Sequence, residues 1–389
     1  MKMLNVQFVL NSLSDSPTFK THDTIDGEII YTPHQETPVE DISIAFQGTT
    51  RIEVENLNTH IPLPVSQLQK TFLHMELPIY DYFGNTTTLK PGKNYRIPFK
   101  FIVPEELPIH ACHHRCENDQ VQQEHLRLPA SLSYRAQKSH GTHDMSPEMA
   151  KVIYSINFAV WRQVDKAGKP KKIQESTHPV QILPTREEHA PILVPCKNKY
   201  YQLRAEKTLS KGVLRHAVGK LTAWSAQPPA MHLNALQPKH MDAYTIVGID
   251  LRFEPAHPGE LPPTLLMPEF QLRAMTFFGL NPWHNSPDLT DISTWGSRQG
   301  LWSEYVSLTS DIEARVDWKR TQEGNHTVFT ASLVASVSLP THRLYPPTGH
   351  SCLVSRTYAL KTKLFYQAHG KTRGTSSMSL SVPLEICAT

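Results

Sequence analysis

A chain of 389 residues, 39% of them hydrophobic and 19% charged, is long enough for two hydrophobic cores and too apolar to be disordered throughout. Its formal net charge of +3 is too slight an excess to mark a nucleic-acid binder, and five cysteines are too few and too dispersed for a disulfide scaffold. Proline outnumbers glycine 31 to 17, which favours many short strands over long helices, and no run approaches the length of an apolar membrane span.

Alternation at period two begins at once. Residues 5–10, 24–31 and 41–47 each place one apolar face against a core and one polar face outward, as half-buried strands do. Residues 60–75 read as a proline-interrupted helix. The turn Lys90-Pro91-Gly92-Lys93 leads into the alternating strand 95–101, and residues 107–123 have room for one short helix. Residues 152–160 form another strand, and the polar run 165–172 reads as a solvated hairpin tip. Beyond a join at 183–190, strands are expected at 201–207, 212–217 and 245–254. A long aromatic loop follows over 281–303. The expected class is all-β.

Several of these segments carry a family pattern. Asp23, Ile25, Gly27 and Ile29 form "D-x-I-x-G-x-I", and Ile42, Ile44, Phe46, Gly48 and Arg51 form "I-x-I-x-F-x-G-x-x-R". Further on stand Pro104, Leu107 and Pro108, then His125, Leu126, Leu128, Pro129, Ser131 and Leu132, and near the end Arg356 and Tyr358. In this order they resemble the arrestin-like proteins, closest to the fungal alpha-arrestins. The resemblance implies two arrestin-like β-sandwich domains of immunoglobulin type, over 1–185 and 186–389, the second with a proline-led strand within 262–276 and its last two strands at 353–360 and 378–386. It also implies an intracellular adaptor or scaffold that binds membrane-protein cytoplasmic tails or trafficking machinery. The expected location is cytoplasmic, peripheral to membranes where an anionic surface is bound. Ligase-recruiting members carry Pro-Pro-x-Tyr, whereas this sequence has Pro346-Pro347-Thr348-Gly349, so direct recruitment of that kind is not expected. The competing expectation is an arrestin-fold enzyme or an accessory protein of a metabolic pathway, with a small-molecule ligand.

The densest chemistry is His110-Ala111-Cys112-His113-His114-Arg115-Cys116, followed by His125. Cys112, Cys116, His114 and His125 are four zinc-type donors that could close a tetrahedral structural site; otherwise no cofactor is expected. The plainer reading packs the cysteines as small hydrophobes in a half-buried connection. A Cys–His nucleophile would need a lowered thiol pKa, and no complete catalytic motif is present. Lys197, Lys199, Arg204, Lys207, Lys211 and Arg215 form a basic stretch suited to an acidic tail or anionic headgroups, or alternatively a solubilising rim. Trp295 and Trp302 in the aromatic loop are expected to anchor it to a sheet end rather than to hold a partner.

Overall fold

The architecture comes from a computed structural model. It describes the chain except residues 1–4, 13–17, 40, 55–65, 80–87, 134–142, 165–168, 193, 195–199, 212–215, 234–242, 288–294, 296–297, 313–315, 325 and 369–374.

The expected alternation becomes an all-β chain. Thr24–Tyr31 buries every second residue, Ile25, Gly27, Ile29 and Tyr31, and pairs antiparallel with Val6–Leu10 on one side and Tyr95–Ile102 on the other. Gly27 is required by that neighbour, because a Cβ would lie 2.2 Å from the Val9 carbonyl oxygen. A five-stranded sheet runs in the order Thr18–Phe19, Lys169–Ile182, Ala150–Val164, Asp41–Val54, Ser66–Leu77. The two sheets share one core: Tyr31 meets Phe158 at 5.5 Å between ring centroids, and Phe46 meets Phe101 at 6.0 Å. Each such fully buried side chain contributes about 1.5–3 kcal/mol of transfer free energy.

A second core lies between two six-stranded sheets. One holds Arg204–Lys211, His216–Trp224, Tyr244–Pro255, His326–Ser338 and Thr309–Ile312, with Lys319–Glu323 also on His326–Ser338. The other centres on Val354–Gln367, flanked by Glu269–Gly279 and Ser376–Leu384. Phe253, Leu251 and Ile249 from the first, and Leu272, Leu360 and Leu380 from the second, are buried in this core.

The two cores touch. Phe278, Cys352, Leu353 and Val354 come from the second group of sheets yet pack in the first core. Arg356 is buried and reaches back: its guanidinium donates to the Asp144 carbonyl (2.8 Å), the Met145 carbonyl (3.1 Å) and the Thr276 hydroxyl (2.6 Å). Between the cores, residues 183–190 run without regular structure. Their amides are spent on both sides, Leu183 N–H on the Phe19 carbonyl and Arg186 N–H on the Ala388 carbonyl, each at 2.9 Å.

Two expectations need correction. The described part of 60–75 is no helix: Ser66–Leu77 is a strand paired with Asp41–Val54 over its full length, because that long strand offers a complete ladder of unpaired groups. The turn or short helix for which 107–123 has room is there, as a 3-10 turn at Ile109–Ala111 and an α-helix that begins in it and runs over Asp119–Leu126. The strands expected at 201–207 and 212–217 are shifted to Arg204–Lys211 and His216–Trp224. Among the described residues no helix is long and apolar enough to cross a membrane.

Candidate metal centre

The Cys/His segment is a closed excursion from the first core. Leu107 N–H donates to the Leu126 carbonyl at 2.6 Å and Leu128 N–H to the Glu105 carbonyl at 3.2 Å, so the chain leaves and returns at one place. Within it, the 3-10 turn delivers Cys112, and Asn118 starts the helix by accepting from Val121 N–H at 2.9 Å. One turn later Val121 and His125 share the buried face, which points His125 at the cysteines.

There the donors converge. Cys112 Sγ lies 3.3 Å from His114 Nε2, 3.6 Å from Cys116 Sγ and 3.7 Å from His125 Nδ1, and Cys116 Sγ is also 3.7 Å from His125 Nδ1. Bonds of about 2.3 Å from zinc to sulfur and 2.0–2.1 Å to nitrogen place tetrahedral neighbours about 3.8 Å apart for two sulfurs and about 3.5 Å for sulfur and nitrogen. Each of these four separations lies within a few tenths of an ångström of such an edge. His114 Nδ1 is 3.1 Å from the Arg115 carbonyl oxygen, an N–H donation that leaves the Nε2 lone pair facing Cys112. His125 is 1% exposed, and its Nε2 has no hydrogen-bond partner.

Sequence spacing misses the next donor. Cys352 arrives from the far end of the chain, and one donor atom each from Cys112, His114, His125 and Cys352 lies within 4.8 Å of every other. Cys116, expected as the fourth ligand, is adjacent as a third thiol. Nothing local marks Cys352, which stands in the plain run His350-Ser351-Cys352-Leu353; only the topology brings it here.

No family model and no curated protein matches this chain.

The site's electrostatics argue against a thiol nucleophile. Burial pushes the Cys112 and Cys352 thiols up, and Cys116 up to about 11, so all three are protonated at neutral pH. Burial also lowers His125, to about 4, and His114, keeping both imidazoles neutral with lone pairs free to donate. A divalent ion would reverse the thiol preference, because its charge deprotonates the sulfurs that bind it.

Beside this centre lies a second buried polar group, also unforeseen. Glu124, adjacent to His125, accepts from Arg186 Nη1 at 3.3 Å and His189 Nε2 at 3.1 Å, and His189 Nδ1 pairs with Glu385. Burial would raise the Glu124 carboxyl, but the His189 hydrogen bond and the Arg186 and Arg127 charges bring it down to about 2. The hydrogen bonds to Glu124 and Glu385 lift His189 to about 9 against its burial.

The basic stretch is only partly described. Arg204 and Lys220 both pair with Glu206, at 2.8 and 2.6 Å, while Lys207 is exposed. Lys197, Lys199 and Arg215, and the side chain of Lys211, lie outside the described residues. In the aromatic loop, Trp295 packs edge-on against Phe277 and Trp283, at 5.8 and 5.6 Å. Trp302 instead sits on the strand Gln299–Ser307, 41% exposed.

Proposed function

We propose that this protein is a non-catalytic accessory or scaffold protein, built as two arrestin-like β-sandwiches over 1–185 and 186–389, whose small ligand is a structural zinc ion held at the Cys112–His125 segment. The observation that carries the reading is a group of thiol and imidazole donors within 4.8 Å of one another, in which His114 and His125 stand 3.3 and 3.7 Å from Cys112 Sγ, near the edge lengths of a zinc tetrahedron. Soft thiolates with imidazoles suit zinc, and four protein donors leave no open position for water or substrate, which is the pattern of a structural site. The two separate cores support the division into two units. Its working surfaces would then be the loops and sheet faces that the rigid junction holds in register.

The test is elemental analysis of the full chain together with an unbiased metabolite-binding measurement. Stoichiometric zinc, retained through dialysis and without a selectively bound metabolite, is the expected result. A metal-free protein that binds one metabolite selectively would replace this reading with a small-molecule one.

The adaptor reading for acidic membrane-protein tails or anionic lipid surfaces stands second, favoured by exposed Lys207 on the strand Arg204–Lys211. Replacing Lys207, Lys211 and Arg215 together should weaken binding to anionic vesicles, more strongly at low salt where screening is smaller. Unchanged binding would remove that surface.

A further inference from the structure

We propose that Cys352 is a zinc ligand, so that the ion ties the first core to the turn that feeds the central strand Val354–Gln367 of the second. This rests on the metal reading above and extends it from a local knuckle to a cross-link between the two cores.

Four observations carry it. Cys352 belongs to the mutually close donor group with Cys112, His114 and His125. It is 8% exposed and Cys112 is 1% exposed, whereas Cys116 is half-buried at the rim. The turn is held where the ligand must stand: Trp283 N–H donates to the Cys352 carbonyl at 2.8 Å, and Ser351 N–H to the Val354 carbonyl at 2.9 Å. The same loop also grips the knuckle directly, Glu117 N–H donating to the His284 carbonyl and His284 Nδ1 donating to the Arg115 carbonyl, both at 2.8 Å. Segments of the second group of sheets therefore flank the Cys112–Cys116 turn on two sides, and Cys352 Sγ rests 3.8 Å from the Ala111 carbonyl oxygen.

The charge balance is consistent. Binding releases one proton from Cys112 and one from Cys352, and the two thiolates cancel the charge of the divalent ion. The neutral imidazoles of His114 and His125 complete the shell without adding charge, so the buried centre ends neutral and needs no counter-ion. Cys116 is then a spare thiol beside a complete shell.

Cobalt(II) serves as the probe, since its visible spectrum reports both thiolate number and tetrahedral geometry. The full-length wild type, Cys116→Ser and Cys352→Ser would be titrated with cobalt and then with zinc. The expected result is a tetrahedral spectrum that Cys116→Ser preserves and Cys352→Ser changes. The zinc affinity of Cys352→Ser should fall by more than the roughly 10–100-fold that loss of an outer-shell partner costs. Because Cys352→Ser could also loosen the fold, hydrogen exchange on the wild type with and without chelator gives a second measure. Chelation should raise exchange in residues 109–126 and 350–354 together.

A Cys352→Ser protein with unchanged spectrum and affinity, or chelator-induced exchange confined to 109–126, would overturn the cross-link while leaving the metal reading standing. A wild type that takes up neither metal would overturn both.

Discussion

Glu124 and His125 are neighbours on one helical turn, yet they enter two buried polar clusters of opposite kinds. The Glu124 cluster is complete in itself: a carboxylate, a guanidinium, an imidazole and a second carboxylate stay charged because each has a partner of opposite sign. The His125 cluster is not. Its thiols are pushed toward the protonated form and its imidazoles toward the neutral form. Burial acts on both, and only one holds the compensating charges. The difference separates a polar cluster whose charges are compensated within the protein from one that burial holds neutral.

The comparison breaks most visibly at Arg186. Removing it leaves Glu124 to His189 and the part-exposed Arg127, 3.3 Å away, so Arg186→Ala should destabilise the protein by up to about 3 kcal/mol in urea unfolding, the low end for a broken buried pair. Replacing both members, as Glu124→Gln with Arg186→Met, should cost clearly less. Equal losses would mean that the pair is not what holds this region.

The other cluster should respond to metal and not to substitution alone. If the ion binds only the folded chain, zinc at about 1,000 times its dissociation constant should add about 4 kcal/mol to stability, read as a rise in Tm that a chelator reverses. Cys112→Ser should abolish that rise. The Arg186→Ala protein should keep it, unless the two clusters are one cooperative unit.

Acid and base separate the clusters more gently. His189 is raised to about 9 from 6.5, so its contribution is fully present below pH 6.5 and is lost as the pH climbs through about 9. Its ring is 34% exposed, and after discounting for solvent screening the loss should be about 1 kcal/mol. Glu124 has the opposite sign: lowered to about 2 from 4.5, it contributes above pH 4.5 and fails as the pH falls toward 2. Stability measured against pH should therefore decline between 6.5 and 9, and His189→Asn should flatten that decline. An undiminished slope in the variant would move the titration elsewhere.

Much of the fold could be read from the sequence because burial on one face writes itself as alternation. Thr24–Tyr31 follows its expected bounds for that reason. Asp41–Val54 outruns the expected 41–47 because its inward face, still buried at every second residue, carries Gly48 and Thr50 where large apolar side chains would announce it, Gly48 having the Phe72 ring 2.4 Å from where a Cβ would stand. Ser66–Leu77 buries only Leu73, so its sequence carries little strand signal, and its identity comes from its partner.

The site divides in the same way. Cys112, His114 and His125 were legible because they are close along the chain. Cys352, Arg186, His189 and Glu385 were not, since each acquires its role only when the two cores meet.

The central claim is that the thiols and imidazoles at this junction hold zinc. X-ray absorption at the zinc edge on the full-length protein tests it most directly. The account predicts a four-coordinate shell mixing sulfur at about 2.3 Å with nitrogen at about 2.0–2.1 Å, lost in a Cys112→Ser, His125→Ala protein. Zinc surrounded only by oxygen and nitrogen, or a sulfur shell that survives those two replacements, would contradict it.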